Sequence, residues 1–231
     1  SFLFTRRPQL PGIIVALLTT LSSGALVWKL VSHGVCRYEL GGWPLPLGIS
    51  LRADGPAVLM VLMTAVTGLA ISIYAEGYFR SRIAKRGDDR RHIIQERFFW
   101  PLWLLLWGAL NALFLSADIF NMYITLELVA LSSVGLTALS GKPASQGAAM
   151  RYLLVSILGS LSFLLGVGFL YKAFGSLDLA TIQEALSFSP PFAMAMALIS
   201  VGLLLKTALF PFHFWLPPAH ANALSPVSAI L

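Results

Sequence analysis

The sequence is poor in cysteine and in charge, and each scarcity excludes a class of function. Cys36 is the single cysteine among 231 residues, so an internal disulfide, an iron-sulfur cluster and a cysteine-ligated zinc site are all ruled out. Any redox chemistry must reside on a partner. Charged residues make up only 11% of the chain against 57% hydrophobic, and the mean hydropathy of +0.79 lies far outside the range of soluble domains. Glycine-rich phosphate loops and nucleophile motifs are also missing, which disfavours an enzyme active site on the chain itself. No cofactor or metal is expected, because His213 and His220 have no third ligand nearby to complete a zinc site. A cleavable signal sequence is not evident.

Long apolar runs take the place of these features. A helix needs about 20 apolar residues to cross roughly 30 Å of hydrocarbon. Six runs qualify, over about 11 to 32, 56 to 78, 98 to 116, 118 to 139, 150 to 172 and 193 to 210. The alternating pattern of an outer-membrane barrel is absent, and these runs are far longer than barrel strands. The expected fold is an all-α polytopic membrane protein of about six transmembrane helices plus a proline-broken helix. The chain starts at Ser1 and stops at Leu231 inside an apolar stretch, so it is expected to be a piece of a longer polypeptide.

The net charge of +6 would suggest nucleic acid in a soluble protein, but its distribution has a simpler meaning. Alternating the loops across the membrane places Lys29, Arg37, Arg52 and Lys172 on one side and Lys206 inside the bilayer; the other eleven of the sixteen basic residues fall opposite. Seven of those, Arg80, Arg82, Lys85, Arg86, Arg90, Arg91 and Arg97, crowd a basic loop over 80–97; Arg6, Arg7, Lys142 and Arg151 complete the set. The positive-inside rule makes that side cytoplasmic, with lipid headgroups as a further contact. The loop after the first span, with Gly41, Gly42, Pro44 and Pro46, reads as a turn-rich surface hairpin. Trp100, Trp103 and Trp107 at the start of the third span suit interface anchors or packing. Asp178 and Glu184 mark a short amphipathic helix on the outer side.

Two charges stand out. Lys206 lies in an apolar run just before Pro211, Pro217 and Pro218, and Glu127 sits at comparable depth in the fourth span. A charge in hydrocarbon costs roughly 2.5 to 3.5 kcal/mol on insertion scales, so two of opposite sign invite a joint explanation. Glu127 falls away from the polar stripe of Asp118, Asn121, Thr125 and Ser132, at about 100° per residue, and needs a partner from another helix. Lys206 shares a face with Ile199, Gly202 and Phe210, and Gly202 would admit a close neighbour such as the helix of Glu127. Gly159, Gly166 and Gly168 with Ser156, Ser160 and Ser162 suit close packing of the fifth span. Pro211 deprives the Thr207 carbonyl of its helical donor, and freed backbone at this depth requires protein or water to satisfy it. A polar pocket beside Lys206 is therefore expected, with His213 and His220 in the same broken region.

The segments ADIFNMYITLEL (117–128) and LKTALFPFHFWLPPAHANALSP (205–226) resemble the two signature regions of the antiporter-like membrane subunits. That family is shared by respiratory complex I, membrane-bound hydrogenases and Mrp-type cation/proton antiporters, and the wording is most similar to the branch of the hydrogenases and the Mrp D subunits. The resemblance covers roughly Asp54 to Leu231. It implies about fourteen helices in a whole member, with two inverted five-helix repeats that each hold a broken helix. Residues 1–97 would then be N-terminal transmembrane helices, and 98–231 most of the first repeat, broken around 203–224. The resemblance also matches Glu127 to the family's key glutamate and Lys206 to its lysine. A complete transmembrane path would need the missing helices.

Leaving water disfavours the charged form of either group, and an opposite charge restores it, so Glu127 and Lys206 would titrate as one coupled unit. The expected function is proton translocation, with Na+ or K+ antiport as an extension. It would occur in a subunit of a larger translocase in the cell inner (plasma) membrane, partnered by other membrane subunits and the lipid bilayer, with no nucleic acid. Glu127, Lys206, His213 and His220 are the candidate proton-transfer residues. The alternative is a non-conducting scaffold in which Glu127 and Lys206 form a structural ion pair.

Overall fold

Apolar segments without water to satisfy their amides must close hydrogen bonds within themselves, and helices result. The computed structural model describes residues 9–42, 48–86 and 90–231, those at 83–86, 90 and 91 by backbone alone. Among the described residues, five helices are long and apolar enough to cross a membrane: α1 Gln9–His33, α2 Gly55–Arg86, α3 Arg90–Leu115, α4 Ile119–Ala138 and α5 Pro143–Phe174. After the short α6 Leu179–Glu184 comes α7 Pro190–Lys206, which at 17 residues falls below a full span. A 3-10 turn Phe212–Trp215, α8 Leu216–Asn222 and α9 Ser225–Ser228 follow. The chain is a multi-pass membrane protein, and its described residues are all-α apart from one antiparallel hairpin, β1 Cys36–Glu39 with β2 Ser50–Ala53.

Several expectations change. The expected basic loop over 80–97 is mostly helical, because Arg, Lys, Gln and Glu are good helix formers and no glycine intervenes before Gly87. The boundary between residues 97 and 98 falls inside the continuous α3. Arg6, Arg7, Pro44 and Pro46, and the side chains of Lys85, Arg86, Arg90 and Arg91, lie outside the described residues. Trp100, Trp103 and Trp107 are core residues, at most 3% exposed. The Trp103 indole donates to Ser72 Oγ at 2.9 Å and stacks on Trp107.

One end of the bundle is knitted by three connections. The Ala117 amide donates to Ser50 O on the hairpin, the Ile119 amide to Leu177 O and the Leu179 amide to Ala117 O, the last two at 3.0 Å each. Arg37 on β1 pairs with Asp178, which is 4% exposed and caps α6 through the Thr181 amide. Hairpin, α3–α4 turn and α6 thus share one end, as alternate loop assignment requires.

The tightest helix pair is α5 with α7. A Cβ added to Gly202 would lie 2.6 Å from the Gly159 carbonyl oxygen, and one on Gly166 would lie 2.9 Å from Ala195 O, so backbone meets backbone there. The helix that Gly202 admits is α5, rather than the helix carrying Glu127. Gly168 has open space around it and plays no packing part.

Candidate functional site

The site forms where α7 stops. Ser189 caps its start and Pro190 opens it, and the helix ends at Lys206, four residues short of the expected end. A residue before proline disfavours helix, and the break has moved upstream of it: Ala208 takes a positive φ of 52°. The Leu209 amide reaches back to Leu204 O at 3.2 Å, leaving the Leu205 carbonyl without its helical donor. The Trp215 indole fills that role, donating to Leu205 O at 3.1 Å. Phe210, expected beside Lys206, is 80% exposed beyond the helix end.

Lys206 Nζ donates to Glu127 Oε1 at 3.1 Å and to Ser156 Oγ at 3.4 Å. Three helices therefore converge: α4 supplies the carboxylate, α5 the hydroxyl and α7 the ammonium. The Lys206 side chain is 9% exposed and that of Glu127 is 26%. Thr125 and Ser132, on the stripe facing away, bond back to carbonyls of their own helix, Asn121 O and Leu128 O respectively.

Two adjoining cavities, of about 200 and 390 Å³, are lined by Lys206, Tyr152, Thr207 and Trp215 together with Leu110 and Val129. The expected polar pocket is thus a mostly aliphatic chamber with a few polar groups; the smaller part adds Ser156 and the larger Ser133. Trp215, which also lines both parts, covers the Leu205 carbonyl freed by the break. The larger part has room for several water molecules at roughly 30 Å³ each. Tyr152 stacks on Trp215 with ring centroids 4.2 Å apart, which fixes the phenol beside Lys206.

The structure brings Glu127 and Lys206 together and leaves the histidines elsewhere. His213 is exposed and stacks on Phe210, while His220 Nδ1 lies 3.1 Å from Ser228 Oγ. Neither lines the Lys206 cavities. Sequence reasoning assigned no chemistry to Ser156, Tyr152 or Trp215. An indole four residues past a helix-breaking proline was the one signal available, since such a donor suits a freed carbonyl.

The sequence pattern of the family described as NADH:quinone oxidoreductase/Mrp antiporter, TM, matches residues 116–231. The N subunit of the NADH-quinone oxidoreductase of Desulforudis audaxviator is 37% identical over 224 residues, covering 95% of this chain and 43% of that protein. The D subunit of the Na(+)/H(+) antiporter of Bacillus subtilis is 34% identical over 212 residues, covering 90% of this chain and 41% of that protein. Among solved structures, that of the membrane-bound sulfane sulfur reductase, an archaeal respiratory membrane complex, superposes with a TM-score of 0.83 at 28% identity, over 97% of this chain and 44% of its counterpart. The chain spans about two fifths of the length of the curated relatives it matches.

Proposed function

This chain belongs to the NADH:quinone oxidoreductase/Mrp antiporter transmembrane family, and from that membership we propose that it is the proton-handling part of a membrane subunit in a larger translocase. The observation that carries the reading is the Lys206 ammonium, 3.1 Å from the Glu127 carboxylate at a helix break that opens on a chamber. In the paired state the ammonium and the carboxylate offset each other's charge. When Glu127 is protonated or drawn away, Lys206 loses its counter-charge and becomes a proton donor into the chamber; when Glu127 returns, Lys206 is a base again. Ser156, which accepts from Lys206 Nζ, would orient the ammonium, and Tyr152 would face the water of the chamber. His213 and His220 enter the proposal as later carriers on the broken segment, reached across water.

The parent protein would sit in the cell inner (plasma) membrane with its basic end cytoplasmic. Residues 98–231 would supply most of one helical repeat, broken around 203–224. Other membrane subunits are the proposed partners; the name of the Na(+)/H(+) antiporter relative, and that of the probable K(+)/H(+) antiporter D subunit of Rhizobium meliloti, 32% identical over 222 residues, motivate Na+ or K+ as a counter-ion beside the proton. A second reading, a scaffold in which the two charges form a structural ion pair, draws support from the aliphatic walls of the chamber. Glu127→Gln and Lys206→Ala in the full-length protein within its complex separate the two. A proton carrier assembles and loses transport, whereas a scaffold assembles and keeps it.

A further inference from the structure

Away from the Lys206 chamber, at the end of the bundle where α2 finishes, α3 begins and α4 turns into α5, lies a cavity of about 350 Å³. Arg82 of α2, His92 and Gln95 of α3, Lys142 of the α4–α5 turn and Asn222 of α8 line it, and no carboxylate does among the described residues. Arg82 Nη1 donates to the Tyr78 hydroxyl at 2.7 Å, with the guanidinium 5.1 Å from the centre of the same ring. That contact orients the group and uses one of its five N–H donors. Among the described residues neither Arg82 nor Lys142 has a carboxylate partner. Gln95, 5% exposed, is held by Nε2 donation to Ser140 O at 3.1 Å, which gives the cavity a fixed wall.

Lys142 is also the N-cap of α5, a helix with no acidic residue in its first turn. The positive end of the helix dipole therefore adds to an ammonium and a guanidinium that no carboxylate among the described residues pairs with. A guanidinium fork and an ammonium together match the tetrahedral oxygens of phosphate. Basic pockets between transmembrane helices at the membrane surface suit phosphate-bearing headgroups.

We propose that this cavity binds a phosphate group, presented by an anionic phospholipid headgroup or as free phosphate. The site shares no lining residue with the Lys206 chamber and stands apart from the proton reading. The test uses the full-length protein. Inorganic phosphate is titrated by calorimetry onto the detergent-purified protein, and spin-labelled phosphatidylglycerol is followed in phosphatidylcholine vesicles containing it. The unchanged protein should bind at least one probe, and Arg82→Gln with Lys142→Gln should weaken that binding by roughly tenfold or more. The charge-keeping pair Arg82→Lys with Lys142→Arg should retain much of it. Lys142→Gln alone, at an exposed position that folding tolerates, should weaken binding by roughly fivefold. Loss confined to phosphatidylglycerol identifies the lipid as source, and loss confined to phosphate identifies the free anion. Failure of the unchanged protein to bind either probe, or equal binding by the Gln variants, overturns the proposal.

Discussion

Lys206 on the last turn of α7 donates to Glu127 on α4 across 3.1 Å, joining residues 79 apart in sequence. The lysine is stabilised twice, since a cation at a helix C-terminus also meets the negative end of that helix dipole. The pair thus ties the broken end of α7 to the middle of α4.

The same geometry sets the cost of breaking the pair. Removing one member of a fully buried pair costs roughly 3 to 5 kcal/mol; here the quarter-exposed Glu127 lowers the expectation to about 1 to 3 kcal/mol for Lys206→Met or Glu127→Gln alone. The double variant should recover part of that loss, because it leaves no charge behind. Thermal unfolding of the full-length protein in detergent measures the cycle, and strictly additive losses would show that the two side chains do not interact.

The sequence made much of this legible, for a physical reason. Charge in an apolar run is rare enough that Glu127 and Lys206 identify each other, and helix lengths follow from bilayer thickness. Periodicity is less informative about neighbours: it puts Gly202 on the face of Ile199 but does not say that α5, rather than α4, fills that face. Composition left Trp100, Trp103 and Trp107 between interface anchors and packing residues because an amphipathic ring suits both, and only their burial selects packing. Ser156 looked like a packing residue because a small hydroxyl serves both purposes, and only tertiary contact brings Lys206 to it. The donor to the Leu205 carbonyl was hidden in the same way: Trp215 lies ten residues from it in sequence.

Helix contact at Gly202 has a direct consequence. A Cβ there would sit 2.6 Å from Gly159 O and 3.0 Å from Phe163 Cβ, so Gly202→Val must push α5 and α7 apart, at a cost of about 1 to 3 kcal/mol or more. Lys206 lies one turn further on, so transport should fall with stability. Gly168→Ala, in open space within the same helix pair, should be neutral or gain up to about 1 kcal/mol. Thermal midpoints of the two variants compared side by side check the assignment, and equal midpoints would contradict it.

Trp215 carries a separate expectation. Trp215→Phe keeps an aromatic face for Tyr152 to stack on but deletes the donor to Leu205 O. A carbonyl left unpaired away from water costs about 1 to 3 kcal/mol. The loss should appear as faster amide exchange around Lys206 to Leu209, measured by mass spectrometry on the full-length protein. Exchange there equal to that of the unchanged protein would mean that the indole bond does not hold the break.

Asp118 links stability to pH from outside the spanning segments. It caps α4 by accepting from the Asn121 amide at 2.8 Å and lies bridged to Asp178, whose charge is met by Arg37. Burial pushes the Asp118 carboxyl above the usual aspartate range, the Asn121 and Phe120 amides pull it down, and the Asp178 charge raises it again, for a net upward shift. A folded-state pKa above the unfolded one means that the folded chain binds the proton more tightly. The resulting stability is fully present below the unfolded value and is lost as pH rises through the folded one. Asparagine caps a helix about as well as aspartate and cannot ionise. Asp118→Asn should therefore match the unchanged protein in acid and exceed its thermal midpoint at neutral pH, with the gap opening just above the ordinary aspartate range. A gap of constant size across that range would show that the carboxyl is not shifted; a gap that closes with rising pH would show that it is shifted the other way.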